Sequence, residues 1–311
     1  MEPRPGDGRP ARTVREALVR ATTTLQASGS ETARLDAEVL LGHVLGIDRS
    51  ALAAHPDALL GTGQAAAFKA SVDRRALGEP VAYIRGLKEF YGAVVRVDRR
   101  VLIPRPETET LVELALERIR TELTGAPRGE DAGPYLVWDI GTGSGAIPVA
   151  IGIELRRRRY GDAVRFHVSD ISMEAIKVAT INAVSHGLAD LFTFAHGDLA
   201  DAMPSPRPVD LLVANLPYIP SGAMAGLPVA ASFEPAEALD GGPDGLALIR
   251  RLLPSLPGAV ARGGAVLLEM GGDQAASLEL AVTELLPHWS CDVHPDLGGS
   301  PRVAQLERSD A

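Results

Sequence analysis

From Tyr135 to its end, the chain alternates short apolar runs with helical segments. The run "YLVWDI" is followed by "GTGSGA" and a helix through "AIGIELRRRR". "RFHVSDIS" leads into a helix over "MEAIKVATINAVSHG" that stops at Gly187. "FTFAHGD" and "VDLLVAN" follow, then the helix "DGLALIRRLLPSL", the run "GGAVLLEMG", and "RVAQLER" as the closing strand. Strands alternating with helices predict parallel βαβ units in a doubly wound α/β sheet. Such sheets bind ligands at the carboxyl ends of their strands. Those ends are therefore where chemistry is to be sought.

The first strand ends in Asp139-Ile140-Gly141-Thr142-Gly143-Ser144-Gly145-Ala146. Glycines at alternate positions allow a tight turn and close approach to a ligand. The helix that follows offers free N–H groups. No Lys follows the glycines, so this is not a phosphate-cradling P-loop. Gly141-x-Gly143-x-x-Ala146 would also pass as a loose dinucleotide fingerprint. The second strand ends at Asp170, placed to accept hydrogen bonds from ribose hydroxyls and also able to cap the helix starting near Ser172. The third ends near Asp198, a group able to accept from an adenine amino nitrogen. The fourth ends in Asn215-Leu216-Pro217-Tyr218. Pro217 forces Leu216 into an extended conformation and so fixes its carbonyl. The Asn215 amide oxygen would stand beside that carbonyl. Two fixed acceptors suit one planar NH2 group, on a carboxamide or on an amino-purine. The Tyr218 ring would cover its face.

The region before the sheet reads differently. Residues 1–10 are rich in Pro, Gly and charge and are expected to form a disordered tail. Residues 11–80 are expected to be a small all-helical domain. Its first helix carries Val14, Ala17, Leu18, Ala21 and Leu25 at helical spacing. The second would begin at an N-cap Ser30, stop at Gly46 and use Leu35, Val39 and Val44; a third runs through "GQAAAFKASVDRRALG" to Gly78. Residues 81–103, rich in β-branched and aromatic side chains, are expected to be a β-hairpin linker. The remainder, residues 104–311, opens with a helix over "PETETLVELALERIRTEL". Thr124–Pro134 then reads as a polar loop.

Composition narrows the function classes. A formal net charge of −9 argues against a broad nucleic-acid-binding surface. The single Cys291 excludes an intrachain disulfide and a Cys-based metal cluster, and no metal is expected. The start of the chain has no apolar signal region and no run is long enough for a membrane span, so a cytoplasmic location is expected.

The pair "GTGSG" and "NLPY" resembles class I S-adenosylmethionine-dependent methyltransferases that methylate an NH2 nitrogen. Within these, the sequence is similar to the HemK/PrmC family. The likeness includes "RRALGEPVAYIRGLKEFYG", "VLIPRPETETLVELAL", "EPAEALDGGPDGL" and "LEMGGDQ", and runs from about residue 13 to 307. It implies a class I, Rossmann-like methyltransferase fold, with an N-terminal helical domain for substrate recognition joined by a hairpin. It further implies methyl transfer to the glutamine side-chain nitrogen of the Gly-Gly-Gln motif in class I peptide chain release factors. The implied cofactor is S-adenosyl-L-methionine, held by Gly141, Thr142, Gly143, Ser144, Gly145 and Asp170, with Asp198, Leu199 and Asn215. Asn215, Leu216, Pro217 and Tyr218 would act on the substrate, with Arg105, Pro106 and Glu107 beside it. Glu107 and Glu109 also suit a helix start.

The chain departs from the family pattern at Leu216, where Pro is usual, and at Leu199, where Trp is frequent. The first leaves the backbone carbonyl intact. The second removes a stacking partner for adenine. The Leu in "NLPY" is also similar to rRNA adenine dimethyltransferases, so adenine-N6 methylation of RNA or DNA is a rival, as is glutamine methylation of another protein. A nicotinamide dehydrogenase would leave Asn215 to Tyr218 unexplained, and a non-catalytic scaffold would bind release factor or cofactor without methyl transfer. A monomer with no direct nucleic-acid partner is expected.

Overall fold

In a computed structural model, which describes residues 13–125, 133–203 and 207–308, the chain divides into two units. The expected tail and most of the Thr124–Pro134 loop lie outside the described residues. Unit one comprises the chain up to Gly86 together with Pro228–Phe233. Unit two is Leu87–Leu227 with Glu234 onward.

Unit one is helical: α1 (Val14–Ala27), α2 (Ala33–Leu45), α3 (Arg49–Ala54), α4 (Thr62–Ala76) and α5 (Val81–Arg85). Helix α1 begins with a capping box, in which Thr13 Oγ1 accepts from Glu16 N at 3.2 Å and Glu16 Oε2 accepts from Thr13 N at 3.4 Å. Its five predicted apolar residues are all buried. Helix α2 departs from the expectation. It starts after Thr32, because the Ser30 hydroxyl donates to Asp36 Oδ2 at 2.9 Å instead of capping. Its buried face is Ala33, Ala37, Leu40 and Leu41, while Leu35 is exposed. The core adds Leu52, Phe68, Val72 and Ile84. The returning segment belongs to this unit: Val229 packs over Gly78, with its Cγ1 2.6 Å from where a Cβ would stand.

The expected hairpin over 81–103 is shorter. Val81–Arg85 is helical, since Pro80 leads into its first turn and Gly86, in the left-handed region, ends it. The hairpin is β1 (Leu87–Phe90) and β2 (Ala93–Arg96), within unit two. Pro106–Thr108 form a 3-10 turn before α6 (Glu109–Thr124).

The predicted strands follow in order, the closing one (Pro301–Arg308) last: β3 (Tyr135–Ile140), α7 (Ala146–Arg157), β4 (Val164–Asp170), α8 (Met173–Ser185), β5 (Phe192–His196) and β6 (Val209–Ala214). Short helices α9 (Ala247–Leu252) and α10 (Leu256–Ala259) precede β7 (Val260–Glu269), and α11 (Ala275–Leu285) follows it. Two more strands, β8 (Trp289–Pro295) and β9 (Pro301–Arg308), form a hairpin that completes a seven-stranded sheet of order β5-β4-β3-β6-β7-β9-β8. From β5 through β4, β3 and β6 to β7 each pair is parallel, but β9 runs antiparallel to both β7 and β8. The expected doubly wound sheet with parallel βαβ units is present, and an antiparallel pair is added at this edge. A short turn joins β8 to β9, and so short a connection permits only antiparallel pairing.

Strand β3 is buried along its length, and Trp138 and Ile140 join Leu212, Leu246 and Leu268 in the core. The chain winds outward from β3 to β4 and β5, then returns to place β6 on the other side. The carboxyl ends of β3 and β6 thus form the point where strand order reverses.

Candidate active site

A cavity of 560 Å³ opens at that point. Its wall includes Gly141, Asp170, Asp198, Asn215, Leu216 and Pro217, each picked out in the sequence. The glycine loop takes its shape from positive φ at Gly141, Gly143 and Gly145. Gly145 is the most constrained. Its φ is +74°, and a Cβ there would lie 3.0 Å from Ala179 Cβ and 3.2 Å from Ala179 Cα. Only glycine lets α7 start this close to α8.

Two side chains hold the loop from below. Asp170 accepts from Gly143 N and Ser172 N, one bond to each carboxylate oxygen at 2.8 Å. Burial raises its pKa, and these two backbone bonds pull it back. Each oxygen keeps a further lone pair for a ligand hydroxyl. The second support, Asn182, is fully buried on α8. It accepts from Arg96 N at 2.7 Å, and its Nδ2 donates to Arg96 O at 3.0 Å and to Ser144 O at 2.8 Å. One amide thereby joins the β1–β2 hairpin to the glycine loop. Asp139, beneath the loop, is fully buried with no hydrogen bond to either carboxyl oxygen, and burial pushes it to about 7.

Asp198 and Leu199 both line the cavity. Asp198 Oδ2 is paired with Arg251 at 2.6 Å, and Arg251 itself lines the wall. Leu199 adopts φ +47° and packs against the core of the sheet. The φ is sterically costly for a branched side chain and occurs where the chain turns from β5 into the wall.

Asn215, Leu216 and Pro217 line the cavity together, directly after β6. Asn215 Nδ2 donates to Thr108 Oγ1 at 3.1 Å. Among the described residues its Oδ1 and the Leu216 carbonyl have no hydrogen-bond partner. The Leu216 side chain is buried, with its Cδ2 3.1 Å from where a Cβ on Gly141 would stand. The departure from Pro thus fills space beside the glycine loop and leaves the carbonyl in place.

Tyr218 is not part of the cavity wall. Its hydroxyl instead donates to Glu269 Oε1 at 3.3 Å, and its carbonyl accepts from Gln274 Nε2 at 2.9 Å. Burial, with the Glu269 charge second, pushes the phenol to about 12. The ring is anchored through its hydroxyl. The residues expected from "PRPETE" shift as well. Arg105, Pro106 and Glu107 do not line the cavity, whereas Pro104 and Thr108 do. Arg105 is held 2.5 Å from the buried Glu234, an ion pair joining two distant segments of unit two. Thr108, Asn182, Arg251, Glu269 and Gln274 had no role assigned from sequence. "LEMGGDQ" contained the signal for two of them, as a carboxylate and an amide just after an apolar strand.

The N-terminal unit matches the family model for the PrmC N-terminal domain over residues 16–86. The chain is 39% identical over 290 residues to the release factor glutamine methyltransferase of Moorella thermoacetica, covering 93% of this chain and 96% of that one. It is 36% identical over 310 residues to that of Bradyrhizobium diazoefficiens, covering 99% of each. Among solved structures, the hMettl16 catalytic domain in complex with MAT2A 3'UTR hairpin 6 superposes with a TM-score of 0.53, at 14% identity over 82% of this chain and 86% of that one. That last likeness is one of fold alone. Near end-to-end similarity at this level, together with an acceptor pair beside a glycine loop at the switch point, places the chain in the release factor glutamine methyltransferase family.

Proposed function

We propose that this chain transfers a methyl group from S-adenosylmethionine to the side-chain nitrogen of the glutamine in the Gly-Gly-Gln motif of class I release factors. The observation that carries the reading is the pair of unpartnered acceptors, Asn215 Oδ1 and the Leu216 carbonyl, in the wall that also holds the glycine loop. The residues present fit the cofactor: a close-approach loop at Gly141–Gly145, the Asp170 carboxylate with spare lone pairs, and a rim at Asp198 and Leu199. When bound, the cofactor supplies an electrophilic methyl on a sulfonium.

The protein's part is orientation and electrostatics. A carboxamide nitrogen is a poor nucleophile because its lone pair is delocalised. Asn215 Oδ1 and the Leu216 carbonyl would each accept one N–H, which aims the nitrogen and excludes other rotamers. Both oxygens carry partial negative charge and favour the positive charge that develops on nitrogen. No strong base is needed, because the methylated nitrogen is far more acidic than the starting amide. An adenine amino group offers the same planar NH2, but the chain-long likeness to glutamine methyltransferases does not favour it.

The helical unit is assigned to gripping the protein substrate, and the enzyme to acting as a cytoplasmic monomer without nucleic acid. Among the described residues no helix is long and apolar enough to cross a membrane. The test is incubation with labelled S-adenosylmethionine and purified release factors, with the methyl mapped by mass spectrometry. The expected result is label on the Gly-Gly-Gln glutamine with wild-type enzyme and none with Asn215→Ala, which should still bind cofactor. Turnover near the wild-type rate in Asn215→Ala would sink the assignment.

A further inference from the structure

The backbone that carries the acceptor pair is held from the next loop of the sheet. Gln274 follows shortly after Glu269, the last residue of β7, and its side chain is buried. Its amide makes three hydrogen bonds. Nε2 donates to the Tyr218 carbonyl at 2.9 Å and to the Asp244 carbonyl at 3.1 Å, and Oε1 accepts from Gly271 N at 2.8 Å. These partners fix which way the amide faces. A flip would set its oxygen against two carbonyls and its NH2 against an N–H.

The two carbonyls belong to different segments. Tyr218 ends the run from Asn215, and Asp244 lies in the loop over residues 240–245, whose Gly241 and Gly242 line the cavity. The two backbones meet directly. Ile219 N donates to Leu239 O at 3.0 Å, and Gly241 N donates to Ile219 O at 2.8 Å. At Gly245, where φ is +79°, a Cβ would stand 2.1 Å from Tyr218 O and 2.2 Å from Gln274 Nε2. Only glycine permits that approach, and the Gln274 amide bridges it. Pairing of Ala214 with Leu268 fixes the chain before Asn215. The bracket at Tyr218 and Ile219 fixes it after Pro217. Between these anchors stands the Leu216 carbonyl, without a partner among the described residues. Pro217 has a locked φ, so a shift of the Tyr218 backbone is passed on to that carbonyl.

We infer that Gln274 is a positioning residue for methyl transfer: by bridging Tyr218 to Asp244 it sets the direction in which the Leu216 carbonyl faces the substrate NH2. The inference rests on the function proposed above.

The test uses the full-length enzyme, a purified release factor and S-adenosylmethionine. Gln274→Glu keeps the shape and the bond from Gly271 but sets an acceptor against both carbonyls. It should lower kcat on the order of 10²-fold, the scale for a displacement of about 1 Å at a reacting group. Gln274→Met fills the space without charge and leaves both carbonyls unpaired. It should lower kcat at least about tenfold, and it keeps the test decisive if Gln274→Glu does not fold. In both variants the cofactor Kd by calorimetry and the KM for release factor should change less than about threefold, a split that general loosening would not give.

A readout independent of turnover comes from labelling the tyrosine carbonyl with carbon-13 and the isoleucine amide with nitrogen-15. Tyr precedes Ile only at Tyr83-Ile84 and Tyr218-Ile219, so each pair gives its own correlation. The Tyr218 signal should move in Gln274→Met while the Tyr83 signal stays. A wild type inert on release factors, with the Tyr218 signal still moving in the variant, would overturn the proposed substrate and uphold the bracket. A kcat within about threefold of wild type in both variants, a cofactor Kd that worsens in step with kcat, or an unmoved Tyr218 signal would overturn the role of Gln274.

Discussion

Asn182 offers the most exacting test of how the glycine loop is held. Its amide makes three hydrogen bonds, to Arg96 N, Arg96 O and Ser144 O, from a position with no solvent exposure. Truncation to Ala removes all three and leaves their backbone partners unpaired. At about 1 kcal/mol for each bond, the loss is about 3 kcal/mol, before any penalty for the space vacated. For a domain of this size that corresponds to a fall in Tm of roughly 6–12 °C. Asn182→Asp separates hydrogen bonding from volume. Its carboxylate can still accept from Arg96 N but would face two carbonyl oxygens. An uncompensated buried charge costs about 3–5 kcal/mol, so at pH 8 Asp should be the more damaging variant. Near pH 4 the protonated acid can donate one bond, and the order should reverse. Urea unfolding followed by circular dichroism at both pH values measures each difference. Calorimetry with S-adenosylmethionine should show weaker binding in parallel, since Ser144 belongs to the loop. If both variants unfold within about 1 kcal/mol of wild type at pH 8, Asn182 does not support the loop in the way described.

Three further outcomes follow from the same geometry. Gly145→Ala should destabilise by about 2–5 kcal/mol, from about 1–2 for the left-handed backbone and about 1–3 for crowding against Ala179. Adding Ala179→Gly should recover part of the crowding cost in urea melts, less about 1 kcal/mol that a glycine costs within α8. Arg251→Ala should leave stability within about 1 kcal/mol, because its pair with Asp198 is half-exposed, yet raise the Kd for S-adenosylmethionine severalfold in calorimetry. Stability should fall as pH rises from 5 to 8, because burial pushes both Asp139 and Glu269 to about 7. The folded protein then keeps protons that the unfolded chain releases above about pH 4, so the stabilisation is present at the acid end and lost through pH 7. Asp139 alone accounts for up to about 4 kcal/mol, and Asp139→Asn should remove its share of the slope in melts across that range. Carboxyls held low by arginine or backbone donors, such as Asp98 and Asp296, act in the opposite sense, but only below about pH 4.

How far the sequence reached can be judged residue by residue. Asn215 and Leu216 were legible because a local rule, a polar residue and X-Pro after an apolar strand, fixes their geometry. The glycine loop was legible for the same reason. Thr108 was hidden because its surroundings read as an ordinary helix start, and only the fold brings it within 3.1 Å of Asn215. Arg251 and Asp198 stand 53 positions apart, and no local pattern announces such a pair. Tyr218 was legible as part of the run after β6, but the partner of its hydroxyl, a buried carboxylate 51 positions later, was not. Strand β8 was passed over although Trp289, Cys291 and Val293 pack on the core at a spacing of two. Its alternate residues Ser290, Asp292 and His294 are polar, and Pro295 ends the run.

The return of Pro228–Phe233 to the helical unit bears on how this protein is made. The helices up to Gly86 leave the ribosome first, but the stretch that covers Gly78 emerges roughly 150 residues later. At about 5–20 residues per second that interval is on the order of 10 s, long compared with the folding of small helical assemblies. During synthesis the N-terminal helices must wait with one face open, and the nascent chain completes its first-made unit only after most of the second has been translated.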